Sequence, residues 1–467
     1  MKKIIPVAEY MLLVLATVFL FLIHEQESQT YKDMMFYIAL CFIVVLLILL
    51  RGVSINTRNI VWAIICVAAV IIYIKYKNIN AAYYGEVYHK VVRIRIALHG
   101  ALAFFIPDLI IRRPKNIREK LTNPLMWLLV LTSLIFLIHE KAVIPILCPL
   151  FIFYYTDISR EKWVELTDCL ALALYSTFAL LFTRSMIFAP DKYEADGRYA
   201  GTFLLNSKAG ELCGIALICL LYFFVRWLYS ENRKKRMLLV LVPFLLYALY
   251  ANYIVGGRSA LLGVVLAIVC VFVFLHGKGL KSTLIRGGII GIVAIVSIVG
   301  LFALSKYLRV GIESGRLENV SYLGEHIAAM TIEDASKGSF APGSLANALD
   351  FLSSGRLSIW KESAENVILW GSKEGARLDT HNTYVFWYVK YGLICGVALS
   401  LWFLWTVIKS LKETVRKNNY IILPLLWNVF IMGFIFTSNE YLESIGIMIF
   451  MIMQYPLLNY YNCKEKD

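Results

Sequence analysis

MMFYIALCFIVVLLILL, residues 34–50, contains no charged side chain and is closed off by Lys32 and Asp33 on one side and Arg51 on the other. A helix needs about 17 to 25 mostly apolar residues to cross the hydrocarbon layer of a bilayer, so this run reads as a membrane span. Working outward, comparable apolar stretches occur at 7–23, 60–74, 94–111, 124–138, 142–156, 166–186, 209–228, 237–255, 259–275, 287–305, 384–408, 420–437 and 441–461. The sequence therefore predicts an all-α chain, a polytopic transmembrane helix bundle of about 12–14 spans. The lower numbers apply if the pairs separated only by 139–141 and 438–440 do not both cross.

Composition agrees. Of the 467 residues 60% are hydrophobic and 17% charged, and the mean hydropathy is +0.69, which excludes a soluble globular protein and a disordered chain. Nine cysteines, mostly inside apolar runs, exclude a disulfide scaffold. The formal charge of +14, from 46 Lys and Arg against 32 Asp and Glu, would suggest nucleic acid in a soluble chain. In a membrane protein it is what cytoplasmic loops require, and no nucleic-acid partner is expected. No A-x-A-like cleavage site follows Phe21, and the charged stretch HEQESQTYKD comes directly after it. The first apolar run is therefore expected to stay as a span.

Loop charges set the orientation. Lys2 and Lys3, Arg51 and Arg58, the group from Arg112 to Lys120, Arg233 to Arg236, Lys278 to Arg286, Lys409 to Lys417, and Lys464 with Lys466 fall on alternate loops. This places both termini of a multi-pass membrane protein in the cytoplasm. The loop 75–93 runs against the pattern, with Lys75, Lys77, Lys90 and Arg93 on the outer side. Three regions follow: transmembrane helices over 1–305, a large extracytoplasmic loop with short amphipathic helices over 306–383, and C-terminal transmembrane helices over 384–467. Within the loop, LSIWKESAENVIL sets Leu357, Ile359, Trp360, Ala364, Val367 and Ile368 largely on one helical face, so a short helix lying on the membrane domain is expected.

Several chemistries are absent from the sequence. GKGLKST at 277–283 lacks phosphate-loop spacing, His24-Glu25 and His139-Glu140 have no second histidine four residues on, and no C-x-x-C pair occurs. No metal site and no cofactor are expected. What remains is a polar set at the outer membrane edge. Arg198 lies in DGRYAGTFLLNSKAGELCG before a span, and Arg258 lies in NYIVGGRSALLG at a tight turn. An arginine at bilayer depth needs a partner, water or an anionic ligand, and two guanidinium groups beside glycine-rich turns suit phosphate oxygens. Arg356 in SSGRLSIW and Arg377 in GARLD are further loop candidates, and Arg356 reads equally well as positioning the helix that follows it. His381 and Asn382 open DTHNTYVFWYVKYGLICG where the loop re-enters the membrane, and histidine is the side chain suited to proton transfer near neutral pH. Lys208 and Glu211 lie near the same edge, where ion pairing, as of a carboxylate with an arginine, is a plainer reading than a role in chemistry.

In this order the pieces resemble the O-antigen ligase and O-antigen polymerase superfamily, the membrane glycosyltransferases acting on undecaprenyl-pyrophosphate-linked glycans. GRYAGTFLLNSKAGELCG is similar to the family's Arg, Gly, Thr, Phe and Asn element, and GGRSALLGVVLA to its turn before an apolar helix, with Gly257 where the family usually has Ser or Thr. SSGRLSIWKESAENVILWGSKEG resembles the pattern in the large outer loop, and THNTYVFWYVKYGLICG the His-Asn motif. The resemblance covers about residues 198–396. It implies a metal-independent, inverting transfer of an undecaprenyl-pyrophosphate-linked oligosaccharide to a glycan or lipid acceptor, among membrane lipids. His381 would be the general base and Arg198 and Arg258 catalytic and pyrophosphate-binding. Arg356, Arg377 and Asn382 would bind substrate. A chain-length regulator and a flippase are the candidate protein partners. Polymerisation of surface polysaccharide repeats is the preferred reading, because the long loop has near-balanced charge; ligase-type transfer to a lipid core or protein is the alternative. A transporter would show internal repeats and midplane polar groups, which the sequence lacks.

Overall fold

The computed structural model describes residues 4–26, 29–76, 86–110, 117–140, 144–154, 158–193, 198–203, 206–229, 235–274, 356–376, 378, 380–415, 421–438 and 445–458. The expected span at 287–305, the loop from 306 to 355 and Arg377 lie outside them. The described chain is helical: α1 (Ile4–Leu22), α2 (Gln29–Arg51), α3 (Thr57–Tyr76), α4 (Glu86–Ile110), α5 (Ile117–Leu121), α6 (Pro124–Ile135), α7 (Leu147–Tyr154), α8 (Arg160–Phe188), α9 (Asn206–Tyr229), α10 (Lys235–Val255), α11 (Arg258–Phe274), α12 (Arg356–Ala364), α13 (Thr383–Tyr391), α14 (Leu393–Val415), α15 (Ile422–Phe436), α16 (Ile445–Ile452) and α17 (Tyr455–Leu458). Apart from one isolated bridge between Tyr193 and Tyr199, no strand pairing occurs among the described residues.

Among the described residues six helices are long and apolar enough to cross a membrane: Pro6–Glu25, Tyr31–Arg51, Thr57–Lys75, Arg160–Phe188, Ser207–Leu228 and Leu393–Glu413. Shorter apolar helices cover Pro124–Glu140, Leu239–Val255, Ser259–Val271, Ile422–Phe436 and Ile445–Leu458. The centre is α9, whose residues from Ala209 to Cys219 are buried without a break. It meets α11 and α15 through small residues. A Cβ on Gly214 would stand 2.8 Å from both the Ala260 Cβ and the Phe430 ring, one on Gly263 2.5 Å from the Phe430 carbonyl oxygen, and one on Gly433 2.9 Å from the Gly263 Cα. Without a hydrophobic force between helices in lipid, such close backbone approach supplies the packing energy. An aromatic cluster fills the other side, with Phe403 and Phe450 stacked at 4.2 Å and Trp402 edge-on to Phe450 at 4.9 Å.

The apolar run 384–408, read from sequence as one span, is two helices. Gly392 takes a φ of +88°, and a Cβ there would come within 2.6 Å of the Trp370 Cα. The chain reverses at this glycine: Tyr388 of α13 packs on Gly396 of α14, and Trp387 and Tyr384 pack on Phe403. The segment before α13 crosses the hairpin tip. Leu393 N–H donates to the Ile368 carbonyl (2.8 Å) and Gly371 N–H to the Tyr391 carbonyl (3.0 Å), which satisfies groups a helix end leaves open. The run 441–461 is likewise interrupted, at Met453 and the buried Gln454 just before Tyr455-Pro456. Among the described residues of the run 142–156, a short turn at Ile144–Ile146 leads directly into α7.

Candidate functional site

One end of the bundle, here called the upper end, gathers the close of α1, α8, α10 and α15 with the start of α9, α11 and α13. The turn at 198–203 is built into it from both sides. Gly201, at φ +58°, has no room for a side chain: a Cβ would fall 1.9 Å from the Ser185 Oγ. Ala200 and Gly201 N–H both donate to the Lys192 carbonyl at 3.1 Å. Thr202 N–H donates to Ser185 Oγ at 2.9 Å, and the Tyr199 hydroxyl lies 2.9 Å from the same oxygen. Tyr199 is fully buried, and burial pushes its phenol pKa up against the opposing effect of that hydrogen bond. Beyond Thr202, the carboxylate of Glu25 accepts from Thr202 Oγ1 (2.8 Å) and from the Arg184 guanidinium, which also donates to Thr202 Oγ1 (3.3 Å). On the opposite side, Tyr199 N–H donates to the Ile254 carbonyl at the end of α10 (3.1 Å).

This fixes Arg198 against the start of α11. A Cβ on Gly256, which has a φ of +66°, would stand 2.8 Å from the Arg198 Cδ and 3.1 Å from its Cγ. The Arg198 stem therefore crosses Gly256, two residues ahead of Arg258. Arg258 itself opens α11; its side chain is outside the described part. The next position, Gly257, lies so close to α9 that a Cβ would be 3.2 Å from the Gly210 Cα. The first turns of α9 and α11 thus start side by side, with their open N–H groups and positive dipole ends at the same place.

His381 joins this end through α13. It is exposed, and at φ 49° it is the one described non-glycine residue with positive φ. Asn382, 2% exposed, is the N-cap of α13: its Oδ1 accepts from the Val385 N–H at 3.1 Å. Thr383 Oγ1 donates to the Ser438 carbonyl (2.7 Å), while Ser259 Oγ, next to Arg258, donates to the Thr437 carbonyl (3.0 Å). Two consecutive carbonyls at the end of α15 therefore anchor the helix starts that carry Arg258 and His381. Trp360 of α12 donates through Nε1 to the Thr380 carbonyl at 2.8 Å, and its ring is 5.7 Å from Phe436. The helix expected over LSIWKESAENVIL is shorter than that, ending at Ala364 with Val367 and Ile368 beyond it and Ala364 exposed, and it is docked beside His381 through Trp360. Arg356 is the first residue of α12, with its side chain also outside the described part.

Lys208 and Glu211 form an ion pair at 3.4 Å, and the fully buried Glu211 also accepts from the Gly446 N–H at the start of α16 (3.2 Å). Arg184 and Ser185 play no part in the sequence reading, where Thr202 enters as the threonine of GRYAGTF and Glu25 beside His24 in a motif that lacks its second histidine. Arg184 and Glu25 are 159 positions apart, and the only signal available was a charge at the edge of each apolar run. His139-Glu140, without metal-motif spacing, lies at another point: Glu140 binds Lys390 Nζ and the Tyr391 hydroxyl, both at 2.5 Å, and His139 packs on Trp370. Among the described residues no three His, Cys, Asp or Glu side chains come together in a way that could hold a metal ion.

The arrangement brings together the Arg198 stem laid across Gly256, a second arginine at a helix start, two adjacent helix N-termini and an exposed histidine. Such a set can hold a polyanionic group and accept a proton beside it. No known family model, no curated protein and no solved structure matches the chain.

Proposed function

We propose that the protein is an integral membrane glycosyltransferase that moves a glycan from a polyprenyl pyrophosphate to an acceptor hydroxyl at the upper end of the bundle. The observation that carries this reading is the convergence there of Arg198 across Gly256, the Arg258 start of α11, and the His381 start of α13 on neighbouring carbonyls of α15. The acceptor oxygen attacks the anomeric carbon, its proton passes to the His381 imidazole, and the bond from that carbon to the pyrophosphate oxygen breaks. Arg198, Arg258 and the two helix N-termini hold the charge that builds on the departing pyrophosphate, the electrostatic work that dominates such reactions. In-line attack inverts the anomeric centre. Arg356, Arg377 and Asn382 belong to glycan binding in this reading, and Asn382 in addition caps α13.

The membrane setting of this reading is about 12–14 spans, with the segment 306–383 and the upper end outside and both termini in the cytoplasm, an orientation that the alternation of basic loops supports, in the bacterial cytoplasmic (inner) membrane that the family resemblance implies. The acceptor is a second lipid-linked repeat, so the product is a polysaccharide. The near-balanced charge of the long segment favours this over transfer to one fixed lipid or protein acceptor.

The test is reconstitution of the purified chain with a polyprenyl-pyrophosphate oligosaccharide as sole substrate, in chelator, with the products run on a gel. A ladder of lengthening glycans is expected. Transfer only after a lipid or protein acceptor is added would replace polymerase by ligase, and no transfer in either case would overturn the reading. Arg258→Ala and His381→Ala should abolish the ladder with the protein still folded, and Arg356→Ala should only weaken it.

A further inference from the structure

We infer that Glu25, Arg184, Ser185 and Thr202 are positioning residues that set Arg198 for pyrophosphate binding by gripping its turn between the ends of α1 and α8. The inference rests on the reading above and extends it to four side chains that make no part of the anion site themselves. An ion pair between α1 and α8 alone needs only Glu25 and Arg184. Here the turn is inserted into the pair: Thr202 Oγ1 donates to one carboxylate oxygen of Glu25 while Arg184 binds the other oxygen and reaches the same hydroxyl. The Glu25 side chain is 7% exposed against 37% for Arg184, so the carboxylate that receives these bonds is largely shielded from water and its bonds are directional.

Ser185 adds a second grip, taking the Thr202 N–H and lying against the Tyr199 hydroxyl. Between this anchorage and the Ile254 and Gly256 contacts on α10, the backbone from 198 to 202 has little freedom, and the direction in which Arg198 leaves it is set. A guanidinium held in place loses less entropy on binding a phosphate than a mobile one.

The experiment is titration of the full-length purified protein with inorganic pyrophosphate, which needs no turnover. Thr202→Val removes the hydroxyl at nearly constant volume, and Ser185→Ala removes the second grip without touching a charge. Each should weaken pyrophosphate binding about five- to tenfold with the protein still folded, while Thr202→Ser restores the original affinity. Wild-type affinity in both Thr202→Val and Ser185→Ala would overturn the inference. If those variants do not fold, amide exchange on the wild-type chain decides. Pyrophosphate should slow exchange at 198–203 together with 23–26 and 184–188, and protection confined to 198–203 would overturn the inference. Failure of the underlying reading looks different: the wild type binds no pyrophosphate, or Arg198→Ala and Arg258→Ala bind it as well as the wild type does.

Discussion

At position 381 the backbone adopts a left-handed conformation that histidine, asparagine and aspartate tolerate and β-branched residues do not. This separates the chemical role of the side chain from its structural cost. His381→Asn should keep the unfolding temperature and lose glycan transfer, whereas His381→Val should also cost about 1–2 kcal/mol of stability; thermal unfolding in detergent beside the product gel reads both. Glu211 makes the opposite case, since it touches no substrate in this reading. Glu211→Ala leaves Lys208 and the Gly446 N–H without their partner and should destabilise the protein by about 3 kcal/mol, seen as a lower unfolding temperature. At this scale the sequence draws attention to polar side chains that stand out against apolar surroundings, as Arg198, Arg258 and His381 do. It was silent on Glu25 and Arg184, because nothing in local spacing tells which distant charge a side chain will meet.

Among the helices, two devices decide the architecture, and both depend on glycine. The first is the close seam of α9, α11 and α15. Gly263→Leu would drive a side chain into the Phe430 carbonyl and should prevent α11 and α15 from closing, seen as aggregation on size-exclusion chromatography. The second is the reversal at Gly392. Gly392→Ala meets both a positive φ and the backbone of Trp370, and should cost at least about 2 kcal/mol in thermal unfolding. Hydropathy located nearly every described helix but misread 384–408 as one span. An average over a window carries no information on a single φ, and both halves of the hairpin are equally apolar. The glycine was visible in the sequence; what was not visible is that Trp370, from the preceding segment, lies against it.

For the molecule as a whole, composition and loop charge carry the reading, since 60% hydrophobic residues leave a bilayer as the only fitting solvent. The orientation proposed from the basic loops is open to a direct check in a cysteine-free background. A cysteine at exposed Asp191 should react with an impermeant maleimide on intact cells, and one at exposed Lys412 only after the membrane is opened. The reverse pattern would turn the site to the cytoplasm and end the proposal. How the helices assemble around α9 was beyond the sequence, because the faces of a fully apolar helix are not distinguished by polarity.

The bond from Thr383 to the Ser438 carbonyl joins positions 55 residues apart in the chain, and that separation has a consequence in time. Synthesis runs from the N-terminus, so when α13 leaves the ribosome neither α14, against which it folds back, nor the end of α15 that receives its first turn has been made. The nine residues of α13 are too short to cross the bilayer alone. It must wait at the membrane surface until its later neighbours arrive, and His381 takes its place only then. The upper end of the bundle is therefore incomplete until translation is nearly finished.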